Sequence, residues 1–391
     1  MATAQSRARY VSAYGGMDMG AEAEPTQIRL VCVGDDDVAT GSHVRKWMET
    51  KPLENLEIDI QFNVELNSAL EILENGETDL LAISASSWYV CKGAPNTMVA
   101  AALPRRDENH ILVAKDRLDY LDYKSIILVE NRLQRRQLRR YRPDFRILDP
   151  VAFADMIGRE IPAKSGLELL AWMEDLHATK MITGYVSEMH LFNTAKIDSR
   201  RHKLMTDSKE NSARFLPSPL NGLTLLISRK GFPASLTEKI GDSESMTAWD
   251  CERTILDRIE PDIHDKIGMI VRHRQIPSLL NQAEKEKDLL RSTSLLDPEG
   301  DIIGDISLVE ILIEIIGRTG DRTLLVEKLV EKDMAPTHAR LIMSEWQDML
   351  NLVTKEHEED IRLGPARPPF LDLSRRFSKG PKTALRAVLE A

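Results

Sequence analysis

The segment from Ile28 to Ile83 limits the fold more than any other part of the chain. Ile28-Arg-Leu-Val-Cys-Val33 is a β-branched, apolar run that stops at Gly34 and the acids Asp35, Asp36 and Asp37, the pattern of a buried strand entering a helix N-terminus. His43 to Glu49 reads as helix, and Leu56-Glu-Ile-Asp-Ile-Gln-Phe62 alternates as a strand does. Leu66, Leu70 and Leu73 then keep helical spacing up to Gly76, and Asp79-Leu-Leu-Ala-Ile83 makes a third strand. This β-α-β-α-β order specifies a parallel sheet with helices on its faces.

A second α/β unit is expected further on. Met98 to Leu103 and His110 to Ala114 read as strands, followed by Ser125-Ile-Ile-Leu-Val129, a basic helix and Phe145-Arg-Ile-Leu148. A helix from Gly166 to Leu176 and a strand at Lys180-Met-Ile-Thr183 complete it. Phe215-Leu-Pro-Ser-Pro-Leu-Asn-Gly222 carries two prolines and an Asn-Gly pair into apolar Leu223, Leu225, Leu226 and Ile227, a tight turn feeding a buried strand that returns to the first unit. Two lobes joined by crossing strands enclose a cleft, and clefts commonly bind ligands.

The expected organisation is a disordered lead-in over 1–25, lobe 1 over 26–118 with 215–236, and lobe 2 over 119–214. A third α/β domain over 237–304, a helical extension over 305–355 and a mobile tail over 356–391 follow. In the third domain Met246 to Ile259 reads as helix, and Ile267 to Arg272 and Leu289 to Leu296 as strands, with Asp297-Pro-Glu-Gly300 as a hairpin turn. Val309, Leu312, Ile313 and Ile316, then Leu325, Leu329 and Val330, then Leu341, Trp346, Met349 and Leu350 fit apolar helix faces, with Asp333-Met-Ala-Pro-Thr337 between two of those helices.

Several functional classes drop out on composition. With 391 residues and a net charge of −10, the chain has no broad attraction for nucleic acid or anionic membrane. The apolar run Ile306 to Ile316 is broken by Glu310 and Glu314 and is too short to span a bilayer, and the first 25 residues lack the apolar core of a secretory signal. Cys32, Cys91 and Cys251 have no metal-ligand spacing and suit a reducing, cytoplasmic setting. The nine histidines are scattered, so no metal site is expected, and there is no phosphate-loop or dinucleotide glycine pattern.

Four stretches in order resemble the hydroxymethylbilane synthase (porphobilinogen deaminase) family: Glu71 to Ile83; Ala100-Ala-Ala-Leu-Pro-Arg-Arg-Asp107; Leu133-Gln-Arg-Arg-Gln-Leu-Arg-Arg-Tyr-Arg-Pro-Asp144; and Leu216-Pro-Ser-Pro-Leu-Asn-Gly222. Glu252-Arg-Thr-Ile-Leu256 is similar to the helix before that family's cofactor loop. The resemblance, over about residues 27 to 300, implies two periplasmic-binding-protein-like lobes, a smaller third domain, and a transferase of tetrapyrrole biosynthesis. Such an enzyme polymerises porphobilinogen on a dipyrromethane cofactor held by a cysteine thioether. At the family's catalytic Lys and Asp positions this chain has Ser86 and Ser87; at the cofactor cysteine it has Ile263; at its first binding arginine it has Val33. Losing positioned acid/base help costs on the order of 10²- to 10⁴-fold in rate. Cys251 lies too early to replace the anchor and reads as a structural thiol.

The resemblance therefore implies a protein without the usual catalysis and without the dipyrromethane group, binding a polycarboxylated ligand in the interlobe cleft. Its candidate ligand residues are Arg132, Arg135, Arg136 and Arg139, with Arg140 beside them, and Asn221 and Gly222 at the cleft mouth. The arginine cluster reads equally as a solvated helix face. Two alternatives stay open: an active porphobilinogen deaminase with non-standard residues, and a regulatory or scaffold protein that docks a partner through residues 305–355.

Overall fold

The computed structural model describes residues 7–10, 26–34, 38–50, 56–206, 213–297, 299–300, 307–318, 320, 322–354 and 383–388. Asp35, Asp36 and Asp37 lie outside them. In chain order the first elements are β1 (Arg7–Tyr10), β2 (Thr26–Val33), α1 (Val38–Thr50), β3 (Leu56–Val64), α2 (Leu66–Glu74), β4 (Leu80–Ser84), α3 (Ala85–Cys91) and β5 (Thr97–Ala102). Then come β6 (His110–Ala114), β7 (Ile126–Leu128), α4 (Arg132–Tyr141), β8 (Arg146–Leu148), α5 (Pro150–Ile157), α6 (Gly166–Ala178), β9 (Gly184–Glu188), α7 (Met189–Ala195) and β10 (Arg201–Lys203). The chain continues through β11 (Thr224–Arg229), α8 (Ala234–Ile240), α9 (Ser243–Leu256), β12 (Ile267–Arg274), α10 (Ile276–Glu286) and α11 (Leu289–Ser294). It finishes with β13 (Leu308–Ile316), β14 (Arg322–Glu331), α12 (Ala335–Thr354) and β15 (Thr383–Val388).

Two compact units divide the chain. The first holds Met1–Glu108, His190–Lys196 and Leu220–Trp249, and the second Asn109–Met189, Ile197–Pro219 and Asp250–Ala391. The first unit is built on a six-stranded sheet, ordered β1-β3-β2-β4-β11-β5. Strands β2, β3 and β4 are parallel, as the alternating sequence pattern requires, and β11 enters between β4 and β5 antiparallel to both. Ile28, Leu30, Ile58, Ile60 and Phe62 pack with Val44 and Trp47 of α1 in its core. The expected return of the 215–229 stretch to the first sheet is what β11 makes.

The second unit carries two sheets. In the five-stranded sheet, β10-β6-β9-β7-β8, strands β7, β8 and β9 are parallel and β6 runs against β9 and β10. Leu112, Ile127, Leu138, Phe145 and Val186 fill its core. The four-stranded sheet runs β12-β13-β14-β15. The protein is thus α/β, with two sheet-and-helix lobes, a smaller third sheet, and α12 as its helical C-terminal piece. Among the described residues no helix is long and apolar enough to cross a membrane.

Some expectations fail for identifiable reasons. Residues 308–316 and 322–331 are strands, not helices. From Val309 onward β13 is buried on both faces, so its apolar residues run almost continuously and a helical stripe can be drawn through them by coincidence. The residues around Asp333 form a 3₁₀ turn between β14 and α12, not a link between helices. Leu289 to Ser294 is helix α11, and Leu289 and Leu290 are exposed. Gly300 N–H bonds the Asp297 carbonyl at 3.0 Å, so the expected turn forms after α11; the residues that would continue a hairpin beyond it lie outside the described ones. The strand expected at Lys180 begins at Gly184 instead, because Lys180 adopts φ 59° in the turn that ends α6. Finally, the lead-in and tail each contribute a strand: β1 pairs antiparallel with β3, and β15 pairs parallel with β14.

Candidate functional site

In open α/β sheets, ligand groups gather at the carboxyl ends of the parallel strands. In the first unit that end belongs to β2, β3 and β4. The Ser84 side chain caps α3 by accepting from Ser87 N–H at 3.2 Å and donates to Ser87 Oγ at 2.8 Å; Ser86 Oγ lies 3.3 Å away. Ser84 is buried, whereas Ser86 and Ser87 are exposed. The local sequence explains this loop: serine oxygens satisfy helix N–H groups that lack intrahelical partners. The two positions where the resembling family has Lys and Asp thus present uncharged hydroxyls.

Thr224 of β11 stands opposite Ser84, and its Oγ1 is 2.9 Å from His43 Nδ1. Burial is the main reason the His43 pKa falls to about 3, with the Arg106 charge adding to it and a bond to the Pro104 backbone opposing it. His43 is therefore a neutral imidazole at physiological pH, committed to Thr224 and Pro104. Along the sequence it is one of nine scattered histidines. Only the tertiary meeting of α1 with β11 gives it a role.

Asn221 and Gly222 form a bracket for the 104–108 loop. Asn221 Nδ2 donates to the Glu108 carbonyl at 3.0 Å, and Arg105 Nε donates to the Asn221 carbonyl at 2.9 Å. Arg106 N–H bonds the Gly222 carbonyl at 3.0 Å. Gly222 has φ 77°, and a Cβ there would meet the Arg106 carbonyl oxygen at 3.0 Å. Both residues hold the loop that carries Arg105 and Arg106, so the turn chemistry read from sequence has a structural use here.

In the second unit the arginines of α4 are engaged within the protein. Arg132 pairs with Asp265 at 3.2 Å, both exposed, and Arg135 pairs with Asp149, the N-cap of α5. Arg136 is buried and donates to the Ile316 carbonyl at 2.6 Å; burial lowers its pKa to about 10. Arg139 Nη1 reaches the Arg318 carbonyl at 3.5 Å. Arg140 pairs with Glu314 at 2.5 Å and also donates to the Arg214 carbonyl. Within α4, Arg136 and Arg140 join the helix to β13, while Arg132 stays exposed beside Asp265.

The carboxyl ends of β7, β8 and β9 are acidic instead. Glu130 lies just past β7, Asp149 just past β8, and Glu188 ends β9. The surrounding protein, then the charges of Glu188 and Asp149, push the Glu130 carboxyl up to about 7. Local sequence patterns do not single these acids out, because each stands alone along the chain; only comparing the residues at the ends of successive expected strands brings them together.

At the position of the cofactor cysteine, Ile263 is buried at 3% exposure in a 3₁₀ turn spanning Pro261–Lys266. Cys251 is fully buried in α9, and burial raises its thiol pKa to about 12. Ile263 carries no sulfur that could form a thioether, and the Cys251 thiol has no exposed surface. The neighbouring Glu252 accepts a bond from Val271 N–H at 3.1 Å, which ties α9 to β12 and accounts for that motif structurally. The face of α12 carrying Ala339, Ile342 and Trp346 is buried, and the helix packs on β14 and β13. Of the apolar stripe expected on this helix, Trp346 and Met349 are buried in that packing, whereas Leu341 is 48% exposed. Among the described residues no group of His, Cys, Asp and Glu could hold a metal ion.

No family model and no curated protein matches the chain. Among solved structures, an ABC transporter from Parabacteroides distasonis is similar at 13% identity and TM-score 0.35, over 90% of this chain and 100% of that one. The ligand-binding component of an ABC-type import system from Staphylococcus aureus, with zinc bound, gives 12% identity and TM-score 0.29, over 90% and 99% of the two chains. A mutant of OxyR from Corynebacterium glutamicum gives 12% and 0.30, over 56% and 63%. Likeness at this level carries no argument about ligand or activity, and the fold class rests on the strand orders above.

Proposed function

We propose that the chain is a hydroxymethylbilane synthase-like protein of tetrapyrrole biosynthesis that binds a polycarboxylated pyrrole ligand without polymerising porphobilinogen. The observation that carries this reading is the carboxyl end of β4, where Ser84, Ser86 and Ser87 form a cluster of uncharged hydroxyls in place of the carboxylate that would stabilise a pyrrole cation. Exposed hydroxyls can donate to a ligand carboxylate but cannot supply the missing charge. His43 is held neutral nearby and does not replace it. With Ile263 at the anchor position and Cys251 buried, no step through a covalently held primer is derived. The three free cysteines agree with a cytoplasmic location.

Titration with uroporphyrin, which carries acetate and propionate groups, tests the binding half. A ligand that binds only the folded state stabilises it by RT ln(1 + [L]/Kd), about 2.7 kcal/mol at a hundredfold excess over Kd. The expected result is a concentration-dependent rise in Tm, diminished in the Ser86→Asp, Ser87→Asp double variant by charge repulsion. A flat response in the parent protein refutes the proposal, as does an undiminished rise in the variant.

A further inference from the structure

The four-stranded sheet receives its last strand from a distant stretch of chain. Strand β14 leads into α12, which packs on β14 and β13, and β15 then returns parallel to β14. These three elements make one strand-helix-strand crossover. In such units the connection from helix back to strand is short, commonly about 2–6 residues. Here α12 ends at Thr354 and β15 begins at Thr383, so residues 355–382 join them, several times the common length. At roughly 3.3–3.6 Å per residue, that much chain can span up to about 90–100 Å.

The strand that β15 covers needs a neighbour. Strand β14 is 10 residues long, and its Thr323, Leu324, Leu325 and Val326 are buried. One edge of β14 is taken by β13 from Thr323 to Glu331, and the other by β15 from Arg322 to Glu327. Bare, that second edge would present a long apolar strand with unpaired N–H and C=O groups, which draws in another strand. Its cover is a strand of 6 residues that stands last in the sheet order and pairs with β14 alone among the described strands. A second copy of this chain presents the same 6 residues, so exchange rebuilds the ladder in the same register and needs no new complementarity. We propose that the free edge of β14 is a docking surface for a second copy of this chain, and that two copies associate by exchanging β15, each laying its strand on the β14 of the other. The sheet itself is unchanged by the exchange; only the copy that supplies its last strand differs. Protein concentration sets the balance, because the strand of the same chain competes at an effective concentration fixed by its connection.

Cysteine trapping in full-length chains tests this. Thr323 of β14 and Ala384 of β15 are register partners, and Cys91→Ser removes the native thiol that is not buried. In that background a chain carrying Thr323→Cys is mixed with a chain carrying Ala384→Cys, and the mixture is oxidised. The expected result is a disulfide-linked dimer of one chain of each kind, identified by the linked peptides in mass spectrometry. Its yield should rise up to about tenfold between about 10 and about 100 μM protein, as a bimolecular step does in competition with an intramolecular one. A single chain carrying both substitutions should close its disulfide internally in dilute solution, which shows that the variants fold with the stated register. The proposal is overturned if the mixture gives no linked dimer while the doubly substituted chain closes internally, because β15 then stays with its own chain. It is overturned equally if the doubly substituted chain fails to close, because the pairing itself is then absent, or if either single variant alone gives as much dimer as the mixture, the mark of random contact.

Discussion

The ion pair between Arg140 and Glu314 provides the sharpest stability prediction. The two side chains are 5% and 1% exposed and meet at 2.5 Å. Gln137 also donates to Glu314 at 3.3 Å, and Arg140 donates to the Arg214 carbonyl. Glu314→Gln leaves the Arg140 guanidinium buried without its counter-charge, which costs about 3–5 kcal/mol. Arg140→Met strands the carboxylate and should cost a similar amount. The double variant, Arg140→Met with Glu314→Leu, is different: Leu216, Ile270, Leu312 and Leu325 form an apolar cluster, and Leu312 lies two residues from Glu314 on the same face of β13, so an apolar pair can join it. Replacing both members of a buried pair by apolar groups is often neutral or stabilising, so the double variant should lie within about 2 kcal/mol of the parent. Urea denaturation of all four proteins gives the coupling energy from the midpoints, provided the m value is unchanged. Single variants that each cost under about 1 kcal/mol, or a double variant as unstable as the sum of the singles, would refute the claim that this pair joins α4 to β13.

Three further outcomes are expected from the same structure. Gly222→Ala, at φ 77° and 3.0 Å from the Arg106 carbonyl oxygen, should destabilise the first unit by about 1–3 kcal/mol, readable by thermal denaturation, whereas Gly158→Ala, also at positive φ but with open space around it, should cost less. His43 is neutral when folded, so as pH falls below 6.5 the unfolded chain takes up its proton first. Stability from this group is whole above that value and is lost towards pH 3, at up to about 1.4 kcal/mol per pH unit; His43→Gln should flatten that slope in urea midpoints. In thiol titration the native protein should react at Cys91 alone, because Cys32 and Cys251 are buried with pKa values pushed to about 12, and all three should react in denaturant.

The parallel core of the first unit was legible because Ile28 to Ile83 switches between strand and helix patterns with clear stops, and local pattern governs there. Of the third sheet the strand at Ile267 was legible and β13 and β14 were not, since β13 is buried from Val309 onward and its Glu310 and Glu314 pair with arginines from β12 and α4, partners a local reading cannot see. The same limit applies to the candidate site. Ser86, Ser87 and Ile263 could be read as departures from a resembling family, and Asn221-Gly222 as a turn. The use of Arg136 and Arg140 as internal ties, the neutral His43 and the grouped acids Glu130, Asp149 and Glu188 all arise from tertiary packing.

Binding without polymerisation is tested most directly by incubating the purified full chain with porphobilinogen. The account predicts that porphobilinogen is not consumed and that the intact mass of the protein stays unchanged. Consumption of porphobilinogen together with an added dipyrrole mass would contradict it, because Ser86, Ser87 and Ile263 would then stand in a working active site.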